Sequence, residues 1–430
     1  VVTATLPRKP VVRVSALFDA GFAADQGRKP GTASFTMGLL DEGTRSLGAL
    51  AIAARAESLG ADLSSGSSLD TSSVAVSALG ERLDASVALL ADVVRNPAFA
   101  PEEIERVRKE WIAAIGREKT SPDALASRLL PPLIYGAGHP YAIPFSGSGT
   151  EASIGSLTRD DLLAFHRDWL RPDNATLIVV GDTTAADVLP VLEKHFGDWR
   201  APAGAKPSKA LPAATAAAAP RVYLVDKPGA VQSNILLGLA APPSSASNRL
   251  EMDTMNAVLG GTFTSRINMN LREDKSWSYG ARSSLADARG PRPWLRSAPV
   301  QKKRTVDSMR EILRELQEYV GNRPATAEEI AKIRNRDVRA LSGRYETNAA
   351  VGGAIAEMVT FGWPDDYVRT LKERIEAQGD DGVRAAAQQV IDPLRVTWVL
   401  IGDLAKIEQP IRDLKLGEVQ VLDADGNVLR

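Results

Sequence analysis

Cysteine is absent from this 430-residue chain, which excludes disulfides, thiolate metal sites and cysteine nucleophiles. Histidine is scarce: His139, His166 and His195 are the only three. No two of them lie close enough to share a helical face, and each reads as a surface or hydrogen-bonded histidine rather than a metal ligand. Charge of one sign is not in excess. A formal net charge of -1 gives nothing to draw in phosphate backbones, which argues against nucleic acid as a partner. No run of eighteen apolar residues occurs, so no helical membrane span is expected. What remains is an ordinary globular composition, 44% hydrophobic and 24% charged. The length is more than one compact domain usually holds, so two domains are expected.

The segment 201–220, APAGAKPSKALPAATAAAAP, has Leu211 as its one large apolar residue. It reads as a linker that contributes little to a core. It separates an N-terminal domain, 1–200, from a C-terminal domain, 221–430. The two halves echo each other. Pro172, Thr176, Gly181 and Asp182 recur as Pro393, Thr397, Gly402 and Asp403, at an offset of 221. The stretch from Glu102 recurs from Glu328, and Gly43-Thr44 recurs as Gly261-Thr262. Three echoes in the same order imply a duplicated domain.

Element types are mixed within each half. Val11 to Phe18 alternates and is β-branched, which suits a strand. Thr176 to Val180 is a short apolar run ended by Gly-Asp, which suits a buried strand. Ile104, Val107, Trp111 and Ile115 recur at helical spacing within 101–115. Each half is therefore expected to be an α+β domain, with helices on a largely antiparallel sheet. Asp182 and Asp403 read as turn residues that end strands.

The run from Val14 to Thr44 resembles the first block of the pitrilysin, or insulinase, family of zinc peptidases. Gly21, Gly31, Ala33, Phe35, Leu39, Leu40, Gly43 and Thr44 match that frame. The inverted zinc motif H-x-x-E-H does not: its positions are held by Ser34, Met37 and Gly38. The family's remaining glutamate ligand falls in the stretch Arg108 to Ile115, where Ala113 and Ala114 stand instead; Ala114 takes the ligand's place. In such a site two imidazoles and a carboxylate hold the zinc, and the motif glutamate activates its water. The resemblance therefore implies a degenerate site with no metal in this chain.

A second resemblance lies at Leu259 to Leu285, where Gly261, Ser265, Arg266, Leu271, Arg272, Glu273 and Tyr279 match a family block. An isolated Arg-x6-Tyr pair is common by chance and reads as a surface arginine with a core-edge tyrosine. Within this block the resemblance gives Arg272 and Tyr279 a catalytic role. They close over the bound peptide from the half opposite the zinc, and bind the substrate carbonyl and its developing oxyanion. Further matches, HPYAIPFSGS from His139 and the two strand ends LIVVGD and WVLIGD, carry the resemblance over nearly the whole chain.

The expectation is thus half of a clamshell that lacks the metal. It is implied to pair with a homologous zinc-bearing chain as a heterodimer or higher assembly, and to bind peptide. Two alternatives remain open: a scaffold resembling the core proteins of a respiratory complex, and a stand-alone peptide-binding homodimer. The chain opens on Val1-Val2, which a removed signal peptide or a trimmed start would each explain. Similar bacterial two-chain peptidases make a periplasmic location the expectation, with the cytoplasm as alternative.

Overall fold

Alternation in VVRVSALF does what period-2 patterning dictates. Val11–Phe18 (β2) is a strand with Val12, Val14, Ala16 and Phe18 buried. The computed structural model describes residues 1–6, 10–215 and 221–430; residues 216–220 of the expected linker lie outside the described residues. With Val2–Thr5 (β1), Asp62–Ser67 (β3), Ser72–Leu79 (β4) and Ala175–Gly181 (β5), β2 forms a five-stranded sheet in the order β1-β5-β2-β4-β3. Only the β1–β5 pair is parallel.

The second half repeats this plan. Its strands are Arg221–Asp226 (β6), Gln232–Ala241 (β7), Arg282–Leu285 (β8), Arg292–Gln301 (β9), Thr397–Gly402 (β10) and Glu418–Leu422 (β11). Their order is β11-β6-β10-β7-β9-β8. Without β11, which adds a parallel strand outside β6, order and sense match the first sheet strand for strand. The sequence echoes fall on equivalent elements: β5 and β10, and the helices Pro101–Thr120 and Ala327–Arg344. The fold is α+β, in two homologous domains.

The compact units are not the contiguous halves. One comprises 1–116, 145–210 and 342–367; the other comprises 117–144, 211–341 and 368–430. The boundary still falls inside the linker, but each half gives one helix to the other unit. The reason is apolar complementarity. In the first unit, Val351, Ile355 and Ala356 of the helix Asn348–Phe361 pack on Leu17, Ile178 and Val180 of β2 and β5. Asn348 Nδ2 donates to the Val11 carbonyl at 2.6 Å. In the second unit, the helix Pro122–Tyr135 lies on β7, where Gly238 makes room for it. A Cβ at Gly238 would stand 2.3 Å from Cδ1 of Ile134.

Nor is the linker loose. Lys209 Nζ reaches Asp19 at 2.6 Å in the first unit, and the Pro212 carbonyl accepts from His139 Nε2 at 3.0 Å in the second. Among the described residues, no helix is long and apolar enough to cross a membrane.

Candidate functional site

The helix Thr32–Met37, closed by Gly38, carries the positions read above as a degenerate zinc motif. Gly31, at φ 92°, opens it in a conformation that suits glycine. The buried Asp25 serves its first amides: Oδ2 accepts from Gly31 N at 2.7 Å and Oδ1 from Ala33 N at 2.8 Å. Burial outweighs these bonds and pushes the Asp25 carboxyl up to about 7, from an ordinary 3.8. A pKa raised in the folded state stabilises the fold fully below the unfolded value, and that contribution is lost as pH rises through about 7. Asp25→Asn cannot ionise. Its deficit in Tm against wild type should therefore shrink between pH 5 and pH 8, read by thermal melts; an unchanged deficit would count against this account.

None of the four motif positions offers a metal ligand. Ser34 Oγ is buried without a hydrogen-bond partner, and Met37 is fully buried. Gly38 ends the helix beneath the indole of Trp111, so that a Cβ at Gly38 would lie 3.2 Å from Trp111 Cζ3. Trp111 is fixed there. Its Nε1 donates to the Ser148 carbonyl at 3.0 Å, and its ring meets Phe35 edge-on at 5.5 Å. Ala114, one turn further along the same helix, is half-buried, and Ala113 is exposed. These residues do not fit zinc, and the room for an imidazole at position 38 is taken.

It follows that the triple variant Ser34→His, Met37→Glu, Gly38→His should bind no stoichiometric zinc. It should also lose stability, because position 37 would bury a carboxylate without a cation and position 38 would collide with an anchored indole. Elemental analysis and thermal melts check this; one tightly held zinc per chain would refute it.

Arg272 and Tyr279 lie in the second unit, on a turn of unusual build. Met269–Asp274 is π-helical, as is Ala257–Gly261 before it. Such wide turns are rare and concentrate at functional sites. The extra residue frees the Leu271 carbonyl, which accepts from Trp277 N at 2.9 Å and Ser278 N at 3.3 Å. The loop thus folds back to the residue before Arg272. Ser276 takes φ 54° to allow the reversal. Ser278 Oγ then donates to the Pro299 carbonyl at 2.6 Å and accepts from Gly280 N at 3.1 Å. Between these fixed points Tyr279 is 86% exposed, so it is no core-edge tyrosine. Arg272 is half-exposed, 3.3 Å from Glu273, with its guanidinium 4.6 Å from the centre of the Phe263 ring. Tyr279 also lines a cleft of about 600 Å³ with Leu130, Leu236, Arg282, Leu295 and Pro299.

The three histidines are separately employed. His139 stacks on Tyr135 and accepts from Tyr141 N at Nδ1, at 3.0 Å. His166 Nε2 donates to the Val94 carbonyl at 2.7 Å, and burial holds its pKa below the ordinary value. His195 Nε2 faces Asp84 Oδ1 at 2.9 Å. Asp403 precedes the helix Leu404–Arg412 and binds Lys302 Nζ at 2.9 Å.

The chain is thus a duplicated α+β protein, with a tightly packed helix at Thr32–Met37 in one half and an exposed turn bearing Arg272 and Tyr279 in the other. Residues 1–135 match the model described as insulinase (peptidase family M16), and residues 156–336 match that described as peptidase M16 inactive domain. The chain belongs to the M16, or insulinase, peptidase family. It is 27% identical over 288 residues to an uncharacterized zinc protease of Mycobacterium leprae, covering 66% of this chain and 63% of that protein. It is 28% identical over 182 residues to a probable mitochondrial-processing peptidase subunit beta of Schizosaccharomyces pombe, covering 42% of this chain and 38% of that one. The crystal structure of a peptidase M16 inactive domain from Pseudomonas fluorescens superposes with a TM-score of 0.83 at 23% identity, covering 93% of this chain and 94% of that chain. The matched stretch thus spans less than two thirds of the length of the Mycobacterium relative.

Sequence reasoning passed over several of the residues that shape these two regions. Trp111 fell on the apolar stripe of Ile104, Val107 and Ile115, and nothing in that spacing set it apart as the residue that covers Gly38. Phe263 and Asp25 carried no signal, because an aromatic in a Gly/Thr-rich loop and an acid in a polar stretch such as Asp25-Gln26-Gly27 are both commonplace.

Proposed function

We propose that this chain is the zinc-less subunit of a heteromeric metallopeptidase. It binds the peptide substrate and supplies Arg272 and Tyr279 to the active site of a homologous partner that bears H-x-x-E-H. The observation that carries this reading is a contrast between the two halves. Around Ser34, Met37 and Gly38 the space is packed with side chains, whereas Tyr279 projects 86% exposed from a loop pinned on both sides. A phenol left in water gains little for the fold, and bracing one with four hydrogen bonds, two from main chain to main chain and two through the Ser278 hydroxyl, makes sense if it meets something outside this chain. A neutral donor and a fixed cation suit a carbonyl oxygen on which negative charge develops. The likeness to a chain named as a peptidase subunit favours a multi-chain assembly.

The test is co-purification from the native host, followed by separation and mixing. A homologous partner with an intact motif should be recovered, and a quenched fluorescent peptide should be cleaved only when both chains are present. Recovery of respiratory subunits would favour a scaffold, recovery of no partner would favour a homodimer, and either result would sink the proposal.

A further inference from the structure

Phe263 is a large apolar side chain left 60% exposed in a loop of small and polar residues. It adds little to the core, yet it is held firmly. Its carbonyl accepts from Asn268 Nδ2 at 2.6 Å. The other end of that amide, Oδ1, accepts from Ala281 N at 3.0 Å. Asn268 is buried, at 3% exposure. One side chain therefore uses both its donor and its acceptor to join two loops, one ending beside Phe263 and the other carrying Tyr279. Asn268 also immediately precedes the wide turn that bears Arg272. No other common side chain of this size offers a donor and an acceptor so placed: aspartate lacks the donor, and leucine lacks both.

Phe263 completes the arrangement. The Arg272 guanidinium lies 4.6 Å from the centre of its ring, within the range in which the negative π face attracts a cation. The carboxylate near Arg272 is that of Glu273, whose 3.3 Å contact comes from the adjacent residue on the same exposed turn. A flexible arginine with only that contact would sample many rotamers; the ring gives it a flat surface to lie on.

We propose that Phe263 and Asn268 are positioning residues for the Arg272–Tyr279 pair. Phe263 sets the plane of the guanidinium, and Asn268 locks the Tyr279 loop to the Phe263 loop so that the two donors keep a fixed separation. This rests on the function proposed above, and the experiment separates the two. In the assembled peptidase, cleavage of a quenched fluorescent peptide is measured for Phe263→Leu, Phe263→Trp, Asn268→Ala and Asn268→Asp. Each is made alone and on an Arg272→Ala or Tyr279→Phe background.

The expected result is a roughly 10-fold fall in kcat for Phe263→Leu and for Asn268→Ala, with KM changed less than about twofold. Phe263→Trp recovers most of the rate lost in Phe263→Leu, because the indole offers a larger π face. Phe263→Leu adds nothing once Arg272 is alanine, and Asn268→Ala adds nothing once Tyr279 is phenylalanine. Asn268→Asp, which keeps the acceptor but sets a buried carboxylate oxygen against the Phe263 carbonyl, falls at least as far as alanine. In the chain alone, Asn268→Ala also speeds hydrogen exchange at the Ala281 amide, while Phe263→Leu does not. Two outcomes overturn the proposal. If Arg272→Ala and Tyr279→Phe are themselves silent, the functional reading fails and this one with it. If they slow cleavage but Phe263→Leu and Asn268→Ala are silent, or add their full effect on those backgrounds, the positioning role fails while the functional reading stands.

Discussion

In the heteromeric peptidase proposed above, Arg272→Ala and Tyr279→Phe should each slow peptide cleavage by roughly 10²–10³ without dissociating the complex. Loss of one oxyanion donor typically costs about 2.7–4 kcal/mol of transition-state stabilisation. The effect should fall mainly on kcat, because charge on the carbonyl oxygen grows only as the bond is attacked. Tyr279→Phe removes a single hydroxyl from an exposed ring, so the fold has nothing to lose. Arg272→Lys should rescue poorly, since an ammonium reproduces neither the planar fork of donors nor the stacking on Phe263. Steady-state kinetics with a quenched peptide reads the rate, and size-exclusion chromatography reads assembly. Wild-type rates from both variants in intact complexes would reduce this chain to a scaffold.

A second large effect concerns folding. Fragments 1–215 and 221–430, produced separately, should each fail to form a cooperatively folded domain, whereas co-expression should restore one folded species. The first fragment lacks the helix Asn348–Phe361, which leaves Leu17, Ile178 and Val180 without their cover. The second lacks the helix Pro122–Tyr135, whose Leu130 and Ile134 meet the strand at Gly238. Each fully buried aliphatic side chain is worth about 1.5–3 kcal/mol. Losing several at once removes as much as the roughly 5–15 kcal/mol by which a domain is stable. Thermal melts followed by circular dichroism, with the fragments alone and mixed, decide the matter. A sharp transition from either fragment alone would contradict the helix exchange as a stability requirement.

The repeat and the strand patterns were legible in the sequence. Proline, threonine and Gly-Asp at matched offsets mark β5 and β10, because strand ends need those residue types whatever surrounds them. The exchange of helices was not legible. The segments that form the helices Pro122–Tyr135 and Asn348–Phe361 are rich in apolar residues, but nothing in them says which of two similar sheets each will cover. That choice rests on local fit, such as the missing Cβ at Gly238. The sites divide in the same way. That neither histidine nor a carboxylate stands at Ser34, Met37, Gly38 or Ala114 is a fact of residue identity and needs no structure. The exposure of Tyr279 and the stacking of Arg272 on Phe263 depend on a loop reversal set by a π turn and by a positive φ at Ser276. No propensity announces either.

The contact between Trp111 and Gly38 also acts as a ratchet. With the indole in place, any side chain at position 38 brings its Cβ to 3.2 Å from Trp111 Cζ3, so the anchored ring must give by a few tenths of an ångström. With glycine in place, trimming Trp111 leaves a void beside Phe35 and discards the bond to the Ser148 carbonyl. Each single step back towards a metal site therefore passes through a less stable protein, and only a concerted change avoids the dip. Such mutual dependence between neighbours makes the loss of a function easy to enter and hard to leave.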